Sequence, residues 1–207
     1  MNKRLAIPAL AATAFILPAC TQILLAAAPP VIHDPASVPA GTYAIEPSHT
    51  QVVFSVNHFG LTTYFGNFSD VSGNLSVVPK NPSAMSVSVS VPVSSVSTTS
   101  PKLTDALKAA DWLDAAHYPA MIFRSTSVTP TGKTTADIAG TLTLHGVTKP
   151  LVLHATFNGA GVNILDQKQT VGFQLTGTVK RSEFGVAKYV PLVSDEVQLI
   201  ISAAFEK

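Results

Sequence analysis

The chain has little of what disulfides, metal clusters and charged interfaces require. Cys20 is the single cysteine, so no internal disulfide can form and no cysteine cluster can bind a metal. Only 12% of the 207 residues are charged, and there are 13 basic and 12 acidic side chains. Without Lys3 and Arg4, which lie in a leader-like segment, the balance is 11 basic to 12 acidic. Such near-neutrality gives no electrostatic reason to expect nucleic acid or an anionic membrane as a partner.

Motifs of common enzyme classes are also missing. The sequence contains no Gly-x-Ser-x-Gly elbow, no His-Glu-x-x-His pattern and no phosphate-binding glycine loop. Five histidines beyond residue 40 are scattered singly, which is typical of polar residues at strand ends and turns. His58 is the exception, because it has the same strand parity as Phe54 and Val56 and could point inward to bond a polar head group. We expect a binding protein with no catalytic residues, no cofactor and no metal.

The N-terminus is typical of an export signal. Lys3 and Arg4 precede an apolar stretch over residues 5–17, which predicts a periplasmic protein. Signal peptidase cleavage after Ala28 would remove residues 1–28. Alternatively, residues 17–20 (LPAC) form a lipobox, residues 1–19 are removed, and Cys20 is lipidated in an outer-membrane lipoprotein. We favour cleavage after Ala28, because the residues that follow Cys20 stay apolar whereas a lipoprotein tether is usually polar. A retained anchor helix is a third option, which Pro8 and Pro18 disfavour.

The rest of the chain divides into a linker and one domain. Residues 29–40 are rich in proline and predict an extended, poorly ordered linker. Residues 41–207 alternate apolar and polar side chains in several segments, which predicts half-buried strands. The clearest alternation runs over residues 85–93, where Val87, Val89 and Val91 share one face and serines the other. Further predicted strands cover residues 51–58, 71–78, 121–128, 134–144, 151–157, 171–180 and 197–205, with turns at 130–132, 145–146 and 159–161.

One helix is predicted among about eight strands. Leu103, Leu107 and Ala110 recur at helical spacing within residues 101–116, with Thr104 and Asp105 as plausible caps. Antiparallel strands with one apolar face must hide that face, either by packing two sheets together or by closing into a barrel. A barrel of about eight strands has room for one small ligand.

Aromatic and aliphatic side chains exceed what a small barrel needs to fill its core. They crowd the first hairpin and the end of the helix, and a helix over an open barrel end would leave an elongated apolar cavity beneath it. We expect this cavity to be lined by inward residues of the strands and the helix: Phe54, Val56, His58, Phe59, Phe65, Phe68, Val89, Leu107, Trp112, Leu113, Phe123, Leu142, Leu144, Phe173 and Leu175. Near the C-terminus, we expect Arg181 to form an ion pair with a nearby acidic residue, Glu183, Asp195 or Glu196.

Several short motifs occur in a specific order and spacing. They are residues 43–50 (YAIEPSHT), 53–60 (VFSVNHFG), 112–114 (WLD), 117–119 (HYP), 123–126 (FRST), 140–150 (GTLTLHGVTKP), 181–185 (RSEFG) and 193–197 (VSDEV). On these motifs the chain resembles the YceI-like lipid-binding family over nearly all of residues 41–206. It departs at Ala106, where the family often has histidine before the leucine. It also departs at Trp112 and Leu113, where the family often has two phenylalanines.

The resemblance implies an extended, lipocalin-like antiparallel β-barrel in the periplasm. It implies that the barrel binds, stores or transports a long apolar lipid, such as a polyisoprenoid or an isoprenoid quinone, in an internal tunnel. Membrane contact would then occur only through a lipid anchor or during ligand exchange, and a homodimer is compatible with such a barrel. Two alternatives remain open, namely an enzyme that acts on a lipid or quinone and a stress-response module with a filled core.

Overall fold

Antiparallel strand pairing organises the whole described chain into one sheet. The computed structural model describes residues 30–207. The strands are β1 (Gly41–Ile45), β2 (Gln51–His58), β3 (Thr62–Phe68), β4 (Ser72–Val77), β5 (Ser86–Pro92), β6 (Ser97–Thr98), β7 (Ala120–Pro130), β8 (Thr135–Leu144), β9 (Val147–Val162), β10 (Gln169–Lys180) and β11 (Glu196–Glu206).

The sheet closes into an eight-stranded barrel. Its order is β1-β4-β5-β7-β8-β9-β10-β11, and β11 pairs back with β1 at Ala44 opposite Glu206 and Ile45 opposite Phe205. β2 pairs with the first half of β11, β3 with β2, and β6 with β3, so these strands extend the wall at one end. That end, where β10 ends and β11 begins, is here called the upper end. The predicted barrel with one inserted helix is confirmed.

The two faces of the barrel wall follow the alternation of the sequence. In β5, Val87, Val89 and Val91 face inward, whereas Ser86 and Ser88 on the other face are exposed. β10 and β11 repeat the pattern and pair along their whole length, from Thr170 opposite Glu206 to Lys180 opposite Glu196. Since an inward apolar face runs along each long strand, closure of the sheet removes it from water.

The one α-helix within residues 30–207 is shorter than the sequence predicts. α1 spans Pro101–Lys108, and the Ser100 hydroxyl accepts its N-terminal capping bond from the Leu103 N–H at 3.3 Å, so Thr104 and Asp105 are not the N-cap. Ala109 adopts an extended conformation and ends the helix. The chain then reverses, and the Leu113 N–H donates to the Leu107 carbonyl at 3.1 Å. This reversal brings Leu107 and Leu113 to the same hydrophobic cluster, which a continued helix would not do.

Two of the three predicted turns are confirmed and one is wrong. His145 and Gly146, both with positive φ, connect β8 to β9, and residues 131–134 connect β7 to β8. Gly159 and Gly161, however, lie within β9, and the connection to β10 comes after Val162. A Cβ on Gly159 would lie 2.7 Å from Cγ1 of Val31. Because these glycines have no side chain, another backbone segment can lie close to β9, which is a known reason for glycine within a strand.

That neighbouring segment is residues 30–40 of the predicted linker, and it packs against the barrel. Ile32 forms a bridge to Ala160 of β9, with backbone hydrogen bonds of 2.6 and 2.9 Å. Residues Pro35–Ser37 form a short 3-10 helix, and Val38 is buried with Tyr43 in a hydrophobic cluster at the end of the barrel opposite the upper end, here called the lower end. The Tyr43 hydroxyl donates to the Pro39 carbonyl at 2.7 Å. Apolar burial thus holds this segment against the barrel despite its prolines.

The export signal and Cys20 lie outside the described residues, so their processing stays a prediction. Within residues 30–207, no helix combines the length and apolar character needed to cross a bilayer.

Candidate ligand-binding cavity

The barrel encloses an apolar cavity of about 660 Å³. This volume lies within the range of small-molecule binding sites in proteins. The cavity extends from His58 and Val197 at the upper end to Val77 and Pro130 at the lower end. It therefore runs the length of the barrel, as a site for an elongated ligand would.

Most of the predicted lining residues face this cavity. β2 and β3 contribute three apolar side chains and His58. Strands β5, β7, β8 and β10 contribute six, and α1 with the turn that follows it contributes three. These residues are Phe54, Val56, His58, Phe68, Val89, Leu107, Trp112, Leu113, Phe123, Leu142, Leu144, Phe173 and Leu175. The structure therefore brings thirteen of the fifteen predicted positions together around one volume.

Phe59 and Phe65 do not line the cavity, and their predicted placement is wrong. Phe65 is 51% exposed, because Tyr64 and Phe68 occupy the inward parity of β3 and leave Phe65 on the outer face. Phe59 follows the last residue of β2 in a turn with φ of 57° and is 49% exposed. Its ring packs edge-on against His58 outside the cavity, with 4.4 Å between ring centroids. Aromatic crowding in the sequence did not reveal these side-chain directions.

His58 lies where the sequence placed it, at the end of β2 and at the upper end of the cavity. Its ring lies 6.4 Å from the ring of Tyr64, which also lines the cavity. Tyr64 Oη is 3.1 Å from Oγ1 of Thr99, and hydrogen bonds from the Thr98 and Thr99 side chains lower the pKa of Tyr64. The upper end of the apolar cavity is thus bordered by polar groups that can bond a head group.

Arg181 is the buried cation of this end, and it does not form the predicted ion pair. Its side chain is 5% exposed and lines the cavity. Nε donates to the Ser194 carbonyl at 2.9 Å, Nη1 to the Val186 and Lys188 carbonyls at 2.8 Å each, and Nη2 to the Val193 carbonyl at 2.8 Å. The four acceptors are all backbone oxygens of one loop. Among the described residues, no carboxylate lies within 4.0 Å of the guanidinium.

The acid whose charge acts on Arg181 has another partner. Asp195 accepts hydrogen bonds from the Ser182 N–H at 2.8 Å and the Ser182 hydroxyl at 2.7 Å. These bonds hold the pKa of Asp195 below its ordinary value, and the field of Arg181 adds a smaller effect. Burial lowers the pKa of Arg181, and Asp195 partly offsets that effect. Arg181 and Asp195 therefore attract each other electrostatically at a distance, without forming a direct ion pair.

The connection from α1 to β7 crosses the upper end. Trp112 lies 6.0 Å from the ring of Tyr189, and Asp111 forms an ion pair with Lys188. Leu107 and Leu113 pack beneath against Phe68, Val91 and Val96. This connection and the loop over residues 185–195 thus meet above the cavity and form its upper cover.

At the lower end the cavity borders are polar but exposed. Asp34 and Lys133 line this end, and both are exposed to solvent. Asp34 accepts a hydrogen bond from the Ala36 N–H at 3.0 Å and caps the short 3-10 helix. The N-terminal segment therefore borders one end of the cavity, and the buried cation marks the other.

Three histidines pair with carboxylates outside the cavity. His49 pairs with Glu46 at 2.5 Å, His117 with Asp114 at 2.9 Å and His154 with Asp137 at 2.7 Å. All three imidazoles are mostly exposed, and none of them lines the cavity. Within residues 30–207, no group of three or more His, Cys, Asp or Glu residues could hold a metal ion.

Sequence reasoning missed part of the lining. Leu199, Ile201 and Phe205 of β11 line the cavity and have the same period-two alternation that predicted the strand, so this signal could have found them. Arg181 and Tyr189 also line it, but Arg181 begins a short 3-10 helix and Tyr189 lies in a loop. Their positions depend on how the loop over residues 185–195 folds back, which no local pattern predicts.

Comparison with known proteins agrees with the architecture. The family model described as YceI-like domain matches residues 43–205. The chain belongs to the YceI-like family. A UPF0312 protein of Ectopseudomonas mendocina (strain ymp) is 38% identical over 165 residues, which are 79% of this chain and 86% of that protein. The resemblance seen in the short motifs is thereby confirmed.

Solved structures share the fold. The crystal structure of Burkholderia cenocepacia BcnA superimposes with a TM-score of 0.70 and 23% identity, covering 77% of this chain and 98% of that one. A polyisoprenoid binding domain from Saccharophagus degradans, implicated in plant cell wall breakdown, gives a TM-score of 0.59 at 13% identity, covering 79% and 97%. At these identities the two structures show the barrel fold alone.

Proposed function

We propose that this protein binds a long apolar lipid, of the polyisoprenoid or isoprenoid quinone type, and stores or carries it in the periplasm. The observation that supports this is the apolar cavity of about 660 Å³ that runs through the barrel. Each buried methylene contributes about 0.8 kcal/mol, so a prenyl chain in an apolar tube needs few polar contacts to bind. The polyisoprenoid binding domain that shares the fold adds support for this ligand class.

The geometry of the cavity bears on the two alternative functions, a module with a filled core and an enzyme. A stress-response module with a filled core is inconsistent with a cavity of this volume. An enzyme acting on a lipid or quinone would need an acid or base at the ligand, and His58 is the titratable side chain that the upper end offers for that role beside Tyr64. In a carrier, His58 forms a hydrogen bond to the head group and the ligand is not chemically changed. His58→Ala should therefore alter the affinity for the ligand, and neither protein should convert it to a product.

The decisive experiment is to identify what the purified protein holds. Native mass spectrometry of the exported protein should show an adduct, and organic extraction followed by lipid mass spectrometry should yield a prenyl or other long-chain lipid. An empty protein that also fails to bind any quinone, prenol or fatty amide offered to it would disprove the carrier function.

Export and anchoring need a separate test. We propose that residues 1–28 are removed and that the barrel is released into the periplasm. Cell fractionation of the full chain and of Cys20→Ala should give the same soluble periplasmic product, starting at Pro29 by N-terminal sequencing. A membrane-bound product that Cys20→Ala releases would instead establish the lipoprotein alternative.

A further inference from the structure

The two ends of the cavity differ in charge. At the upper end the lining includes Arg181, which is buried and cationic, together with His58 and Tyr64. The only carboxylate among the lining residues that the structure describes is Asp34, which lies at the lower end beside Lys133. An apolar ligand with one polar head therefore meets a different environment in each of its two orientations.

The guanidinium has one donor left. Arginine carries five N–H groups, and four of them donate to the carbonyls of Val186, Lys188, Val193 and Ser194. The second hydrogen of Nη2 has no acceptor within residues 30–207. Because the charge is withdrawn from water and touches no carboxylate there, its attraction for an oxygen lone pair is weakly screened.

Aromatic rings lie beside the guanidinium group. The Arg181 Cζ atom lies 5.9 Å from the centroid of the Trp112 ring, and both residues line the cavity. Trp112 in turn lies 6.0 Å from the ring of Tyr189. A planar carbonyl or carboxylate group could lie against these rings while it accepts from Arg181.

We propose that Arg181 orients the ligand, with a hydrogen-bond-accepting head, a carbonyl or carboxylate oxygen, at the upper end and the apolar tail directed to the lower end. This proposal rests on the lipid-binding function and adds the class of head group and the direction of binding. It predicts discrimination against a cationic head, because an amine placed beside the buried guanidinium would be repelled and would leave Nη2 without an acceptor.

The unaltered chain offers a direct test, because Trp112 is its single tryptophan and reports on the upper end. Two fatty acids of equal length would be used as probes, one with a nitroxide quencher next to the carboxyl group and one with it near the methyl end. The first should quench Trp112 fluorescence strongly and the second weakly. Stronger quenching by the tail-labelled probe would overturn the proposed orientation and leave the carrier function standing. If neither probe binds by native mass spectrometry although a quinone or prenol does, the carboxylate head-group class is overturned while the carrier function stands.

Head-group selectivity supplies the second test. A fatty acid and a fatty amide should bind about tenfold or more tightly than the amine of the same chain length, as expected for a hydrogen bond from a buried charge. In Arg181→Gln this ratio should collapse toward one while binding of a plain hydrocarbon tail persists. Equal affinities for acid and amine in the unaltered chain would overturn the proposal, whether or not Arg181→Gln folds.

Lys188→Gln is the matched control. Lys188 is another cation near Trp112, with Nζ 5.7 Å from the ring centroid, but it forms an ion pair with Asp111 and does not line the cavity. Its substitution should leave the acid-to-amine ratio unchanged. A ratio that falls in Lys188→Gln and holds in Arg181→Gln would assign the selectivity to the outer surface and overturn the proposal.

Discussion

At the scale of single residues, the cavity depends on positions that lack a side chain. Gly140 of β8 lies beneath the ring of Phe123, a buried residue that lines the cavity. A Cβ at Gly140 would come within 2.6 Å of Cζ of Phe123 and 2.4 Å of the Arg124 carbonyl oxygen. The ring would have to move, and the backbone oxygen cannot yield without disturbing the pairing of β7 with β8.

We therefore expect Gly140→Ala to lower the free energy of unfolding by about 1–3 kcal/mol, the usual cost of overpacking a core. Urea denaturation followed by circular dichroism measures the loss. Gly172→Ala is the control, because its nearest non-neighbouring atoms lie 3.8 and 3.9 Å from the added carbon. That variant should keep or slightly raise stability, since alanine restricts the unfolded chain more than glycine does. Equal losses in both variants would contradict the packing argument.

At the scale of elements, the connection between β10 and β11 is held by hydrogen bonds from several of its side chains. A short 3-10 helix at Arg181–Phe184 begins it, and Asp195 at its end accepts two bonds from Ser182. The same loop supplies the four carbonyls that Arg181 bonds. Two side chains, one cationic and one anionic, thus fix the cover of the cavity through separate sets of hydrogen bonds.

Removal of the Ser182 hydroxyl should make this element less stable in a pH-dependent way. The folded state holds the pKa of Asp195 below its unfolded value, so the ionised carboxylate stabilises the fold at neutral pH. That contribution is lost as the pH falls through the folded pKa. Ser182→Ala should therefore cost about 1 kcal/mol at neutral pH and less in acid.

Denaturation curves of both proteins across the acid range measure the difference, and a carboxyl carbon titration by NMR should show the pKa of Asp195 raised in Ser182→Ala. Ser202→Ala, an exposed serine on β11, is the control and should change neither quantity. A stability difference that grows on acidification would contradict the assignment.

The elements also show what the sequence could and could not predict. β5 was predictable because valine and serine alternate without interruption, and period two is the direct signature of a half-buried strand. β3 was not, because Thr62, Thr63, Gly66 and Asn67 break the alternation and hide which face Phe65 occupies. The sequence predicted a longer α1 because local helix propensity continues beyond Lys108. Tertiary packing of Leu113 beneath the cover outweighs that propensity and ends the helix early.

At the scale of the whole molecule, closure of the sheet buries its apolar face and also leaves an unfilled apolar interior. Closure through β1 and β11 leaves the eight-stranded barrel without a free edge, with β6 as the edge of the extension formed by β2 and β3, and it buries the inward apolar faces. The inward side chains nevertheless leave about 660 Å³ unfilled, so the barrel retains an apolar interior that a ligand can occupy. Stability and ligand binding thus draw on the same inward positions, and a substitution there should affect both.

Two adjacent residues of β11 test this dependence, because their side chains lie on opposite faces of the barrel wall. Ile201 lines the cavity and packs against both the cluster around Phe205 and the cluster around Val179, whereas Ile200 is 43% exposed on the outer face. Ile201→Trp should place an indole in the tunnel and lower the affinity for a long prenyl or fatty chain about tenfold or more, because several methylenes lose their buried positions. Ile200→Trp adds the same side chain to the same strand and should leave affinity unchanged.

Lipid occupancy by native mass spectrometry and affinity by isothermal titration calorimetry compare the two variants, with thermal unfolding as the check that both fold. A shorter chain should recover part of its binding in Ile201→Trp, because it fits on one side of the obstruction. Undiminished binding of the longest ligand by a folded Ile201→Trp would show that the lipid does not pass through the middle of the barrel.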